Sequence, residues 1–297
     1  MNSEAQPRYS LKYFTHMASV AIIGAGALGG AVAQALAARD RVRRVLLVDT
    51  AAGVAAGKAL DLQQSGAVSG SHTRLDGTDD LSRVVGSAVC VIADRYGPPE
   101  AEWAGDDGLS LVRRLLPWTE TTPLVFAGAA QAELMLTARR EHHVRRASLI
   151  GSAPEAFASA MRSMVALEAG CSPSEVSLAV LGVPSRLVVP WSEAAVGGFP
   201  LERTLTPVQL SRLEARSLRL WPPGPYALGM AAAAAVEAVV TSSRRALSLL
   251  TVLDGEYGAR NRLGSMPVLL DSSGVARVRV PALSARERVL VETALGT

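Results

Sequence analysis

Residues 19–30 read Ser-Val-Ala-Ile-Ile-Gly-Ala-Gly-Ala-Leu-Gly-Gly, and this stretch decides the fold. Ser19 to Ile23 is a short apolar run with β-branched residues, the pattern of a buried strand. Gly24, Gly26 and Gly29 follow at once in the spacing G-x-G-x-x-G. Leu28, Val32 and Leu36 then recur every four residues, which predicts one helical face. In a strand–turn–helix unit each glycine has its own task. The first permits the tight turn, the second lets a pyrophosphate approach the backbone, and the third lets helix and strand pack closely. The helix N-terminus offers free N–H groups and a dipole that favours an anion. Asp49 lies 20 residues past Gly29, at the end of the next apolar run, Arg44 to Val48. An acid there accepts hydrogen bonds from a ribose hydroxyl and repels a 2′-phosphate, which favours NAD over NADP. The unit therefore predicts a dinucleotide site built on Gly24, Gly26, Ala27, Leu28, Gly29 and Asp49.

Outward from this unit, strand and helix alternate. A helix is predicted over 51–64, strands over 88–93, 122–127 and 147–150, and helices over 106–116 and 130–141. That order predicts a doubly wound parallel sheet covered on both faces. The pattern changes after Gly151. A helix over 154–169 is followed by strand-like stretches at 175–181 and 186–189 and helices at 207–219 and 225–243. An antiparallel meander follows at 247–253, 266–270 and 275–280. A last helix starts at Ser284, an N-cap with Glu287 three residues on. The expected fold class is α/β: an N-terminal Rossmann domain over 17–151 and a mixed α/β domain over 152–297. Residues 1–16 read as an extension, and either Met1 or Met17 can be the start.

The chain has 297 residues, 49% of them hydrophobic, and a formal charge of +3. Its basic residues are almost all arginine, with Lys12 and Lys58 as the lysines. This charge is too small to argue for nucleic acid. Met17 to Ala38 carries no charge and imitates a membrane span, but the glycines at phosphate-loop spacing favour the strand–turn–helix reading. Cys90 and Cys171 lack metal-ligand spacing and imply no disulfide framework, which fits a reducing cytoplasm. No metal site is expected.

The chain resembles the NAD-dependent malate/lactate dehydrogenase family. The resemblance rests on VAIIGAGALGG (20–30), VLLVDTAAGVAAGKALDLQQS (45–65), GTDDL (77–81), CVIAD (90–94), ALEAGCSPSEV (166–176), VVPWSEAAVGGFPL (188–201) and DGEYG (254–258). It implies hydride transfer between NAD and a 2-hydroxy acid, in dimers or tetramers. It also implies a proton-accepting His, an Asp that orients it, and arginines that clamp the substrate carboxylate. The matching positions hold other residues. Pro184 stands at the His position, Phe157 at the Asp, Ala160 at an Arg, and Gly128 at an Asn that holds cofactor and substrate. Ala93 and Arg95 fall in the motif beside the pyrophosphate, where Arg95 replaces a small residue. It either salt-bridges the phosphates or blocks them, with Asp94 as a possible partner.

The expected function is thus an NAD-binding relative that has lost the family's turnover, acting as a sensor or as a partner of an active paralogue. Two alternatives stay open. One is an oxidoreductase on another substrate, using Arg186 as an anion ligand or Glu155 as a carboxylate. The other is a structural or interaction protein that no longer binds NAD. His16, His72, His142 and His143 read as surface or packing residues, and an Arg186–Glu193 ion pair is the plainer reading of Arg186. Trp103 and Tyr96 give the former lid aromatic bulk.

Overall fold

The computed structural model describes residues 18–97 and 101–297. The predicted extension, His16 and the question of Met1 against Met17 lie outside the described residues.

The first half forms strands β1 (Ser19–Ile23), β2 (Arg44–Val48), β3 (Arg74–Thr78), β4 (Val89–Ile92), β5 (Asp94–Arg95), β6 (Ala101–Glu102), β7 (Leu124–Phe126) and β8 (Leu149–Gly151). Its helices are α1 (Ala27–Arg39), α2 (Ala52–Ser69), α3 (Gly105–Thr119) and α4 (Ala132–His142). The second half adds α5 (Ala153–Ala169), β9 (Val176–Ser177), β10 (Leu181–Val183), β11 (Arg186–Val188), β12 (Ala195–Val196) and β13 (Phe199–Pro200). It closes with α6 (Pro207–Ser217), α7 (Pro225–Thr241), β14 (Leu247–Asp254), β15 (Arg260–Asp271), β16 (Gly274–Val278) and α8 (Ala285–Leu295).

Strands β3-β2-β1-β4-β7-β8 lie in that order and pair in parallel. This is the doubly wound order, and its direction reverses between β1 and β4. The pairing sense changes at β8, where Gly151 meets Leu250 of antiparallel β14, and the same sheet continues through β15, β10 and β11. Within the uncharged apolar stretch, residues 19–38 form β1, a turn and most of α1, and among the described residues no helix is long and apolar enough to cross a membrane.

The parallel strands are buried on both faces, so their sequences are apolar without alternation. Val20, Ile22, Val45, Leu47, Val89 and Val91 pack towards α1, α2 and α7. Ala21, Ile23, Leu46, Ile92, Leu124 and Phe126 face α3 and α4. A third cluster around Phe157, Met161, Val165, Val180 and Leu213 packs α5 against the segment up to α6. Two expectations need correction. Arg74–Thr78 is a strand that periodicity did not announce, because Arg-Leu-Asp-Gly-Thr sits at the sheet edge with partly exposed side chains. The meander strand expected over 266–270 starts at Arg260, since pairing with β14 extends it.

Helices α1 and α7 cross at Gly229. A Cβ there would stand 2.7 Å from the Ala31 Cβ and 2.8 Å from the Ala31 carbonyl carbon. Gly229→Val is expected to lower stability by about 1–3 kcal/mol through overpacking, read as a fall in the urea midpoint. Cys90 is fully buried, and burial pushes its thiol up to about 12. Native labelling at pH 8 is expected to modify Cys171, which is partly exposed, and to spare Cys90 until the protein is denatured.

Candidate functional site

The loops after β1 and β4 meet where the strand order reverses, the place at which open α/β sheets bind ligands. Gly24 has φ +117°, and a Cβ on it would lie 1.7 Å from the Asp94 carbonyl oxygen. A Cβ on Gly29 would lie 2.0 Å from the Gly24 carbonyl oxygen. The first and third glycines thus serve the turn and the close packing that their spacing predicts.

The second glycine meets something else. A Cβ on Gly26 would lie 2.3 Å from Oδ2 of Asp94. The Asp94 carboxylate sits on the N-terminus of α1. The backbone N–H of Leu28 donates to its Oδ2 and the N–H of Gly29 to its Oδ1, both at 2.8 Å and both buried. Asp94 is itself 4% exposed. The chain's own carboxylate therefore fills the anion cradle that the glycine spacing builds. Lys58 lies alongside, its Nζ donating to the Gly26 carbonyl at 2.7 Å.

Asp49 stands at the end of β2 as expected, but it too is engaged. Oδ2 accepts from the N–H of Ala25 at 2.8 Å and of Tyr96 at 3.0 Å, and Oδ1 accepts from the N–H of Ala51 at 3.0 Å. Tyr96 belongs to the segment after β4, so this contact draws that segment onto the groove.

A second carboxylate comes from the same hairpin. Strands β5 and β6 pair Asp94 with Glu102 and Arg95 with Ala101. Glu102 accepts from the N–H of Ala129 at 2.9 Å and of Ala130 at 2.7 Å, in the loop that leads into α4. Any side chain on Gly128 would collide with it, since a Cβ there would lie 2.2 Å from Oε2 of Glu102. Gln131 ties the parts together. Its Oε1 accepts from the Gly128 N–H at 2.9 Å, and its Nε2 donates to the carbonyls of Ala93 at 2.8 Å and Trp103 at 3.1 Å.

Arg95 neither crosses the cradle nor pairs with Asp94. Its Nη1 meets Oδ2 of Asp107 at 2.9 Å, with both side chains well exposed. Pro184 and Gly128 do come together, with Ala153, Pro154, Met135 and Leu250, around a crevice of about 10 Å³. No titratable side chain lines it, and that volume is at the threshold for one water molecule. Phe157 is buried in the C-terminal core, and Ala160 follows it on α5, partly exposed. Arg186 is exposed, and its guanidinium donates to the Thr293 carbonyl at 3.5 Å, not to Glu193. Glu155 is buried in an ion pair with Arg162 and accepts from the Ser248 N–H at 2.7 Å. It borders a separate cavity beside α7. His72 pairs with Asp40 and stands largely in solvent, and His143 ends α4. Among the described residues no group of three or more His, Cys, Asp or Glu could hold a metal.

The residues missed from sequence are Asp94 as the cradle's occupant, Glu102 and Gln131. The available signal was the acid at 94, one residue past a strand that must neighbour β1.

Residues 224–297 match the model of the lactate/malate dehydrogenase alpha/beta C-terminal domain. The malate dehydrogenase of Cytophaga hutchinsonii is 28% identical over 292 residues, covering 92% of this chain and 93% of that protein. That of Thioalkalivibrio sulfidiphilus is 29% identical over 290 residues, covering 92% and 94%. Among solved structures, the malate dehydrogenase from Salinibacter ruber superposes with a TM-score of 0.83 at 26% identity, covering 94% of each chain. The Cryptosporidium parvum lactate dehydrogenase, complexed with lactic acid and nicotinamide adenine dinucleotide, gives 0.83 at 20% identity, covering 94% and 95%.

Removing the Asp94 carboxylate leaves buried N–H donors on α1 without it. Asp94→Ala is expected to cost about 1.5–3 kcal/mol, the range for hydrogen bonds to a charged group, read by urea denaturation in the absence of nucleotide. An unchanged midpoint would show that the contact contributes nothing.

Proposed function

We propose that this chain, which belongs to the malate/lactate dehydrogenase family, has left that family's hydride transfer and keeps the fold as a non-catalytic protein. The observation that carries this reading is the Asp94 carboxylate bound by the Leu28 and Gly29 N–H groups. NAD is the cofactor of the family. Its pyrophosphate needs those same donors, and two like charges cannot share them without a large cost. The groove as folded does not fit a dinucleotide, so the alternative in which NAD no longer binds gains over the NAD sensor that the glycines suggest.

The reaction crevice supports the same reading. Proline has no proton to give or accept, and a group that does so contributes about 10²–10⁴-fold. Glu155 and Arg186, the candidates for replacement chemistry, do not line the crevice around Pro184. The division into halves at 17–151 and 152–297, assembly into dimers or tetramers or with an active paralogue, and a cytoplasmic setting belong to this proposal. The relatives named malate dehydrogenase favour a second reading, retained activity.

One assay separates the two readings. With NADH and oxaloacetate or pyruvate, no absorbance change at 340 nm beyond the buffer control is expected, and turnover sensitive to substitution at Arg95 or Asp94 would sink the proposal. Pro184→His alone is also expected to give no turnover, because Phe157 and Ala160 can neither orient an imidazole nor hold a carboxylate. Activity in that variant would show that one residue separates the chain from its relatives.

A further inference from the structure

Away from the cradle, a second concave site lies at the other end of the strands. Arg43 precedes β2, Arg44 opens it, Arg74 opens β3, and the parallel register sets Arg44 directly beside Arg74. The 3₁₀ turn Leu81–Val84 leads from β3 back towards the start of β4 and brings Arg83 to the same place. With Asp76, these four arginines line a cavity of about 460 Å³, within the range of about 300–1,000 Å³ for small-molecule sites. Every residue that lines it is charged, and four guanidinium groups accompany one carboxylate. The resulting excess of three positive charges equals that of the whole chain.

Like charges at directly paired positions repel, and Asp76 relieves Arg44 and Arg74 only in part. Its Oδ2 accepts from Nε of Arg44 at 2.8 Å and lies 3.7 Å from Nε of Arg74. The terminal nitrogens of these two arginines donate no hydrogen bond among the described residues, and Arg43 and Arg83 make neither hydrogen bond nor ion pair through their guanidinium groups there. Asp76 thus holds two arginines in place without using the fork with which each can grip an oxyanion. The lining has no aromatic or aliphatic residue to receive a ring or a tail, so recognition rests on charge and N–H donors. A carboxylate presents two oxygens in one plane. A terminal phosphate presents three acceptors around a tetrahedron, which guanidinium groups from β2, β3 and the turn can reach together, and linked phosphates supply several negative charges at once. We propose that this cavity is a binding site for a short chain of linked phosphates, gripped by Arg43 and Arg83 and by the terminal nitrogens that Asp76 preorients on Arg44 and Arg74. The site lies at the opposite end of β2 from Asp49 and does not depend on what the cradle binds.

The test uses the full-length protein at pH 7 and about 50 mM salt, low enough to limit screening, with calorimetry and melting temperature as readouts. Orthophosphate, citrate, inorganic triphosphate, ATP and a short RNA oligonucleotide are titrated. Inorganic triphosphate is expected to bind saturably, at least tenfold tighter than orthophosphate or citrate. ATP as tight as triphosphate, with the same loss in the arginine variants, supports a nucleotide's phosphate chain as the source; weaker ATP supports a free oligophosphate. Arg43→Gln and Arg83→Gln are each expected to weaken triphosphate at least fivefold and to leave the melting temperature of the free protein unchanged, because neither guanidinium holds the fold. Arg212→Gln removes the same charge from an exposed position on α6 and is expected to leave binding unchanged. Asp76→Asn is expected to melt at a lower temperature and to recover when triphosphate is added. No triphosphate binding up to millimolar concentration, or binding that Arg43→Gln and Arg83→Gln weaken no more than Arg212→Gln does, overturns the proposal. RNA binding tighter than triphosphate also overturns it, in favour of an extended nucleic-acid face.

Discussion

The first turn of α1 sets the terms for everything around it. A helix buries its N-terminus only if its leading N–H groups find acceptors, and here those of Leu28 and Gly29 are buried beside the central strands of the sheet. A dinucleotide-binding protein leaves those donors to the ligand. This chain supplies a carboxylate from the neighbouring strand, so the helix start is satisfied from within. Two charge-assisted bonds at 2.8 Å and the favourable end of the helix dipole act on the same group. The position of Asp94 then fixes the hairpin that follows it.

That hairpin makes the second replacement intelligible. Gly128 in isolation is a lost side chain. Beside Glu102 it is a clearance, because the carboxylate occupies the space a side chain would need and takes the N–H groups of Ala129 and Ala130. Gln131 and Tyr96 close the arrangement by bonding to Ala93, Trp103 and Asp49. Residues that look scattered along the sequence, at 94, 102 and 128, form one packed unit. A groove merely abandoned by its ligand would keep unsatisfied donors, each costing about 1–3 kcal/mol when buried.

How much of this was legible depended on the range of the interaction. The strands β1, β2, β4 and β7 announced themselves because burial on both faces demands unbroken apolar runs. Strand β3 did not, since an edge strand tolerates Arg74 and Asp76, where Asp76 pairs with Arg44 across the strands and with Arg74 on its own strand. The glycine spacing marked the turn that opens α1. It could not report the occupant, because Leu28 and Asp94 stand 66 residues apart and meet only through the β1–β4 pairing. Local reasoning gave Asp94 its neighbour Arg95 as a partner. The register places them otherwise: pairing with β6 aligns Asp94 with Glu102, and Asp94 turns inward while Arg95 turns out to Asp107.

On the proposed reading, the loss of the proton-transfer groups and the filling of the cradle reinforce each other. A relative that lost only its acid–base residue would still bind cofactor, and binding would still stabilise its fold in proportion to ligand concentration. Selection on stability alone would then keep the phosphate loop empty for the ligand. With Asp94 satisfying α1, the Leu28 and Gly29 N–H donors are committed within the chain. What stays open is the part of the groove those carboxylates do not fill, a cavity of about 250 Å³ walled by Ile23, Val48, Leu81, Leu111 and Trp103.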